Sequence, residues 1–250
     1  MKNIVITVLL IILPATLSAR SYSDKYASQS KEALDYYMSN IGEFNKVAAV
    51  TGLSSEFIFA IISPEVSQFG FLNNLAQTGL LRFLYVQGGK TYADYSIGHF
   101  QMKPSFIERL EESVRQNETL QRQFQSILIE NPNSRKGRVE RINRLTQPKW
   151  QLSYLALFCM VMQERFADKE FPNKEEQLRF YAAAYNTGFH KSEEVIEQFT
   201  QKAFFPLLGM TKYNYSEVSL WFYRELKTND TNSLLSTHCS QKPEQHRCSQ

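Results

Sequence analysis

The stretch from Trp150 to Phe166, WQLSYLALFCMVMQERF, is apolar on nearly every side. A helix without a polar face has no surface to give to water, so it must lie at the centre of the fold with other elements packed around it. Elsewhere the hydrophobic residues recur mostly at helical spacing, and no long run alternates as a half-buried strand would. The chain therefore reads as mainly α. Residues 20–227 are expected to form a single helical domain, followed by a polar tail over 228–250.

Residues 1–19, MKNIVITVLLIILPATLSA, carry one lysine, an apolar run from Ile4 to Leu13 and then small residues, the layout of a secretory signal peptide. The run falls short of the about 20 apolar residues that a membrane-spanning helix needs. Export to the periplasm or cell envelope, or secretion, is expected, with no stable membrane span once the signal is removed. A formal charge of +3 gives no case for nucleic acid, which takes a concentrated basic face. Of the three cysteines, Cys239 and Cys248 are close enough in the tail to pair in an exported protein, and Cys159 reads as a buried small apolar residue. The four histidines, His99, His190, His238 and His246, lack the spacing of a zinc motif, so neither a metal nor a cofactor is expected.

A polar helix is expected over residues 24–37, then a connector, then a second helix capped by Ser54 with Glu56 in its positive first turn. Leu53, Phe57, Ala60 and Ile61 share one side of that helix and should face the core. Pro64 lacks a backbone donor and crowds the Ala60 carbonyl, which predicts a kink or break just before Glu65. A third helix over 72–86 should end at Gly88 and Gly89. The segment KTYADYSIGHFQMK is helix-poor and reads as a short irregular or β-like connection, with Pro104 opening the next helix. Residues 131–147 carry Arg135, Lys136, Arg138, Arg141 and Arg144, and read as a solvated connector or helix face. KEEQLRFYAAAYNTGF forms a helix stopped by Gly188. Two more helices are placed near 193–202 and 215–227.

Glu65 closes the apolar run FIFAIISPE. Burial at that point would raise its pKa and keep it protonated near neutral pH, as a general acid requires. The plainer reading is a glutamate where a helix end meets solvent. GHFQMKP and AAAYNTG each set a side-chain amide, Gln101 and Asn186, beside aromatic residues. Such a combination suits sugars, whose hydroxyls need donors and acceptors and whose C–H faces need apolar surface. A turn into a helix and a helix C-terminus are the plainer alternatives.

In this order the three stretches resemble the soluble lytic transglycosylases and related lysozyme-like enzymes that cleave the glycan of bacterial peptidoglycan. LSSEFIFAIISPE looks like the family's apolar helix ending in a catalytic glutamate, GHFQMKP like its Gly-Leu-Met-Gln-Ile-x-Pro segment, and AYNTG like its Ala-Tyr-Asn-x-Gly motif. The resemblance covers residues 53–189. It implies a lysozyme-like helical domain, an added helix within 70–94 that could roof the cleft or bind a partner, and peptidoglycan glycan strands as substrate. It also implies Glu65 as the catalytic group with Tyr185 hydrogen-bonding near it. Gly98, Phe100, Gln101, Met102 and Asn186 become substrate contacts, with Gly98 letting the backbone approach the sugar. Glu65 would protonate the bond between N-acetylmuramic acid and N-acetylglucosamine and then accept the C6 hydroxyl proton, leaving a 1,6-anhydro end.

Val66 stands where the family usually has serine, and His99 where it has leucine. A lysozyme-type hydrolase would need a second carboxylate, for which Asp94 is the candidate, although aspartate is also common in turns. A non-catalytic peptidoglycan-binding or envelope-assembly protein is the reading from another class.

Overall fold

The stretch with no polar face forms the helix Pro148–Arg165, and Leu152, Leu155, Leu157, Phe158, Cys159 and Met162 along it are buried. Full burial of each of the larger side chains contributes about 1.5–3 kcal/mol. Burial also pushes the Cys159 thiol well above its ordinary pKa, as expected of a core residue. The computed structural model describes residues 22–76, 79–206 and 211–239. In chain order its helices are α1 (Ala27–Ser39), α2 (Ile41–Thr51), α3 (Ser55–Ala76), α4 (Gly79–Gly88), α5 (Pro104–Gln116), α6 (Glu118–Phe124), α7 (Arg135–Leu145), α8 (Pro148–Arg165), α9 (Lys174–Thr187), α10 (Glu193–Phe199) and α11 (Tyr215–Cys239). Strands β1 (Ala203–Phe205) and β2 (Tyr213–Asn214) pair antiparallel, with Ala203 opposite Asn214 and Phe205 opposite Tyr213. The fold is mainly α.

Two helices act as hubs. α8 is covered by α2, α5, α6 and α7, while α3 is covered by α1, α2, α9 and α11. Among the described residues no single helix is long and apolar enough to cross a membrane. The expected signal peptide lies outside the described residues, as does Cys248, the expected partner of Cys239.

Several boundaries differ from expectation for identifiable reasons. The segment read as a connector after residue 37 is helix α2, because Phe44, Val47 and Thr51 give it a buried stripe. Gly52 ends it in the left-handed region at φ 69°, its N–H bonded to the Ala48 carbonyl. The helix placed over 72–86 is instead divided between the end of α3 and α4. α11 runs to Cys239, well past the expected end near 227. Ser54 does cap α3, accepting from the Phe57 N–H at 3.3 Å.

The basic segment is a solvated face only at Arg135 and Lys136, which are exposed, whereas Arg138, Arg141 and Arg144 turn inward. Arg141 and Glu111 are fully buried and pair through two contacts, Nε to Oε1 at 3.0 Å and Nη2 to Oε2 at 2.7 Å. Arg141 also donates to the Tyr85 hydroxyl of α4, which donates in turn to Glu108 of α5 at 2.9 Å. Arg138 donates to the Val86 and Gln87 carbonyls at the end of α4. Arg144 reaches the Ile127 carbonyl and lies 4.1 Å from the centre of the Trp150 ring. These arginines bind α4 to α5 and α7.

Removing one member of a buried ion pair strands the other's charge in a low-dielectric interior. Arg141→Met is expected to cost about 3–5 kcal/mol in urea unfolding, and adding Glu111→Leu to it should recover most of that loss.

Candidate active site

Helix α3 passes through Pro64 without the predicted break. Proline cannot donate to the Ala60 carbonyl, but the Ser63 hydroxyl does so at 3.0 Å. The neighbouring Ile61 carbonyl accepts from the Tyr215 hydroxyl of α11 at 3.0 Å. With both carbonyls supplied, the disturbance stays local. Val66, Ser67 and Gln68 are consequently turned into the body of the protein, all buried. Ser67 donates to the Pro64 carbonyl and meets the Tyr22 hydroxyl at 2.6 Å, so it takes no part in the cleft. Glu65 is left half-buried, with its open side on the cleft.

The second wall is a tight turn. Ile97 and Met102 form an isolated antiparallel bridge, exchanging N–H to O=C bonds of 3.0 and 3.2 Å, which is the β-like segment expected near the cleft. Gly98 takes φ 72° and Gln101 takes φ 49°, a conformation that a residue with a side chain adopts only when held there. Gln151 of α8 holds it, accepting from the Phe100 N–H at 3.0 Å. The Gln101 amide donates back to the Gly98 carbonyl at 2.8 Å. A Cβ at Gly98 would collide with the Gln151 amide and the Leu145 carbonyl. Gly98 is therefore required for packing against α8.

A cleft of about 630 Å³ lies between α3, this turn, the start of α5, the end of α9 and β1. Glu65, Gln101, Met102, Tyr185 and Asn186 all line it. Phe100 does not: its side chain is fully buried against Tyr36 and Phe44, so the expected contact of its ring with substrate is replaced by a core role. Tyr185 stands beside Glu65, yet its hydroxyl donates to the Phe100 carbonyl at 2.6 Å, tying α9 to the turn rather than serving the carboxyl. The Asn186 Nδ2 is buried and has no hydrogen-bond partner among the described residues.

Burial raises the Glu65 carboxyl to about 8, and the nearby Lys103 offsets this only in part. Its electrostatic neighbours include tyrosines. Tyr185 and Tyr215 are pushed well above the ordinary phenol value by burial first and by Glu65 second. Glu65 is thus a neutral acid at neutral pH. Asp94 lines the same cleft but is exposed, and its two oxygens accept from the Ser105 N–H at 3.0 Å and the Ser105 hydroxyl at 2.7 Å. It caps the first turn of α5, in keeping with the turn reading.

His99 is stacked between Tyr36 and Phe69, with ring centres 5.1 and 4.0 Å away. Sequence reasoning did not select Lys103, Arg109, His190 or the Phe204–Phe205–Pro206 edge, all of which line the cleft. Only tertiary packing brings them there, and no short motif marks them. Among the described residues no group of three or more His, Cys, Asp or Glu side chains is gathered to hold a metal ion.

Because the folded value near 8 lies above the ordinary 4.5, the folded chain keeps a proton that the unfolded chain loses between those pH values. Stability therefore falls as pH rises through that window. Glu65→Gln is expected to gain roughly 7–14 °C in Tm relative to the parent when thermal scans at about pH 5 and about pH 8 are compared. No family model, curated protein or solved structure matches the chain, so what the cleft does is read from its own geometry.

Proposed function

We propose that the chain is a peptidoglycan lytic transglycosylase-like enzyme with a lysozyme-like domain, cleaving the β-1,4 bond between N-acetylmuramic acid and N-acetylglucosamine with Glu65 as acid and base. The observation that carries the reading is that, of the two carboxyls lining a cleft large enough for sugar units, Asp94 is engaged with Ser105 while Glu65 is raised to about 8. The unpartnered Asn186 donor beside it supports a ligand rich in acceptors, since a buried donor left unpaired by the fold calls for one from outside.

The chemistry balances on one group. Glu65 gives its proton to the glycosidic oxygen as the bond to C1 breaks, with the muramic N-acetyl carbonyl assisting. The ionised Glu65 then removes the proton of the C6 hydroxyl as that oxygen bonds to C1. The product carries a 1,6-anhydro end, no water is consumed, and Glu65 is again protonated. The capping role of Asp94 disfavours a hydrolase in which it activates water.

Residues 20–250 and Glu65→Gln, incubated with peptidoglycan, test this by mass spectrometry of the soluble fragments. Anhydro-muramic ends are expected from the parent, with a loss of about 10²–10⁴-fold in the variant. Since the acid must be protonated, kcat/KM should decline as pH rises through about 8. Reducing ends that disappear in Asp94→Asn would instead mean a hydrolase, and retained glycan binding without fragments a binding protein.

A further inference from the structure

We propose that Tyr22, ahead of α1, is a positioning residue for Glu65: its hydroxyl fixes the turn of α3 that carries the acid, and its ring supports the β1 wall of the cleft. This rests on the glycan-cleaving reading above and adds to it a residue that lies outside all three sequence motifs.

Tyr22 is fully buried, and its oxygen stands in a run of hydrogen bonds whose direction is settled at each step. The Gln68 amide donates to it at 2.8 Å. The Ser67 Oγ lies 2.6 Å away, and because the Ser67 proton is spent on the Pro64 carbonyl at 2.7 Å, Tyr22 is the donor to Ser67. The run thus passes from Gln68 through Tyr22 and Ser67 to the carbonyl of the residue bonded directly to Glu65. It braces α3 both before and after the acid. On its other side the Tyr22 ring lies edge-on to Tyr213 of β2 at 5.1 Å and 6.1 Å from Phe205 of β1, a residue that lines the cleft. One side chain therefore ties two walls of the cleft together.

Burial pushes the Tyr22 phenol up to about 12, with Glu65 among the lesser causes, so the phenol stays neutral where Glu65 titrates. What it supplies is a fixed dipole and a closed interior. The other titratable groups around Glu65 are Lys103, Tyr185 of α9 and Tyr215 of α11, while Asp94, Arg109 and His190 line the same cleft. All of these are retained in Tyr22→Phe, which keeps the ring and removes the hydroxyl alone. That change leaves the buried Gln68 amide without its acceptor and Ser67 without its donor. Buried polar groups in that condition recruit water. Water admitted beside a buried carboxyl lowers the cost of its charge, so the Glu65 pKa moves down towards the ordinary value.

The test follows the Glu65 carboxyl by NMR during pH titration of residues 20–250 carrying 13C-labelled glutamate, its signal assigned by loss in Glu65→Gln. The parent is compared with Tyr22→Phe, Ser67→Ala, the two combined, and Tyr37→Phe. The Tyr37 hydroxyl donates to Ser55 at 3.0 Å near the start of the same helix, so this last variant loses a buried tyrosine–serine bond without touching the run. The Glu65 midpoint should fall by about one pH unit in Tyr22→Phe and in Ser67→Ala. The double variant should fall no further than either single one, as expected of two links in one run. Tyr37→Phe should titrate as the parent does. On peptidoglycan the alkaline limb of kcat/KM should move by the same amount as the carboxyl. An unmoved midpoint in Tyr22→Phe, or an equal displacement in Tyr37→Phe, overturns the proposal. Urea unfolding checks that each variant is folded, and should Ser67→Ala fail to fold, Tyr22→Phe against Tyr37→Phe decides alone. A parent that cleaves nothing sinks the glycan-cleaving reading separately, since the carboxyl titration needs no substrate.

Discussion

The hydroxyl of Tyr215 on the Ile61 carbonyl is the contact on which the arrangement of the cleft depends. Pro64 takes a donor out of the middle of α3, and a helix in that condition ordinarily bends or stops. Here one hydroxyl comes from the adjacent Ser63 and the other from a helix distant in the chain. The first is local chemistry, and the second makes the continuity of α3 a property of the assembled fold. Continuity sets the phase of every residue after the proline, sending Val66 and Gln68 inward while Glu65 faces the cleft. Tyr215 also lies within the electrostatic reach of Glu65, so the group that secures the helix contributes to the surroundings of its acid.

The opposite wall obeys a different logic. The turn from Ile97 to Met102 is too short to bury much of itself, and it contains a glutamine in the left-handed region. Such a conformation persists only where neighbours over-determine it. Gln151 from α8 and Tyr185 from α9 supply that determination by bonding the N–H and the carbonyl of the same residue, Phe100. The Phe100 ring is meanwhile locked in the core. One residue thus joins the turn to two helices and the interior, and Gln101 is presented to the cleft as a result.

Much of the helical framework was legible because apolar spacing reports a buried face directly. The stretch 150–166 and the helix stopped by Gly188 are instances, and Ser54 was readable as a cap because capping is local. Glu65, Gln101 and Asn186 could be singled out because a polar side chain in an apolar setting is conspicuous in one dimension. What escaped was settled by partners distant in the chain. The passage through Pro64 needed Tyr215, and the burial of Arg141 needed Glu111 and Tyr85. A run of arginines carries no mark that separates a solvated face from a set of internal braces. The packing contacts of Gly98 and Tyr185 are illegible for the same reason, since each exists only after α8 and α9 have packed.

The space left by the missing side chain at Gly98 is filled by the amide of Gln151. Neither position can therefore drift alone. A larger residue at 98 would require a shorter one at 151, and a shorter one at 151 would release the Phe100 N–H that the amide now accepts. The two sites behave as a single heritable unit, although they lie in different parts of the chain and neither touches the cleft's acid. Comparison of natural variants should find them changing together or not at all.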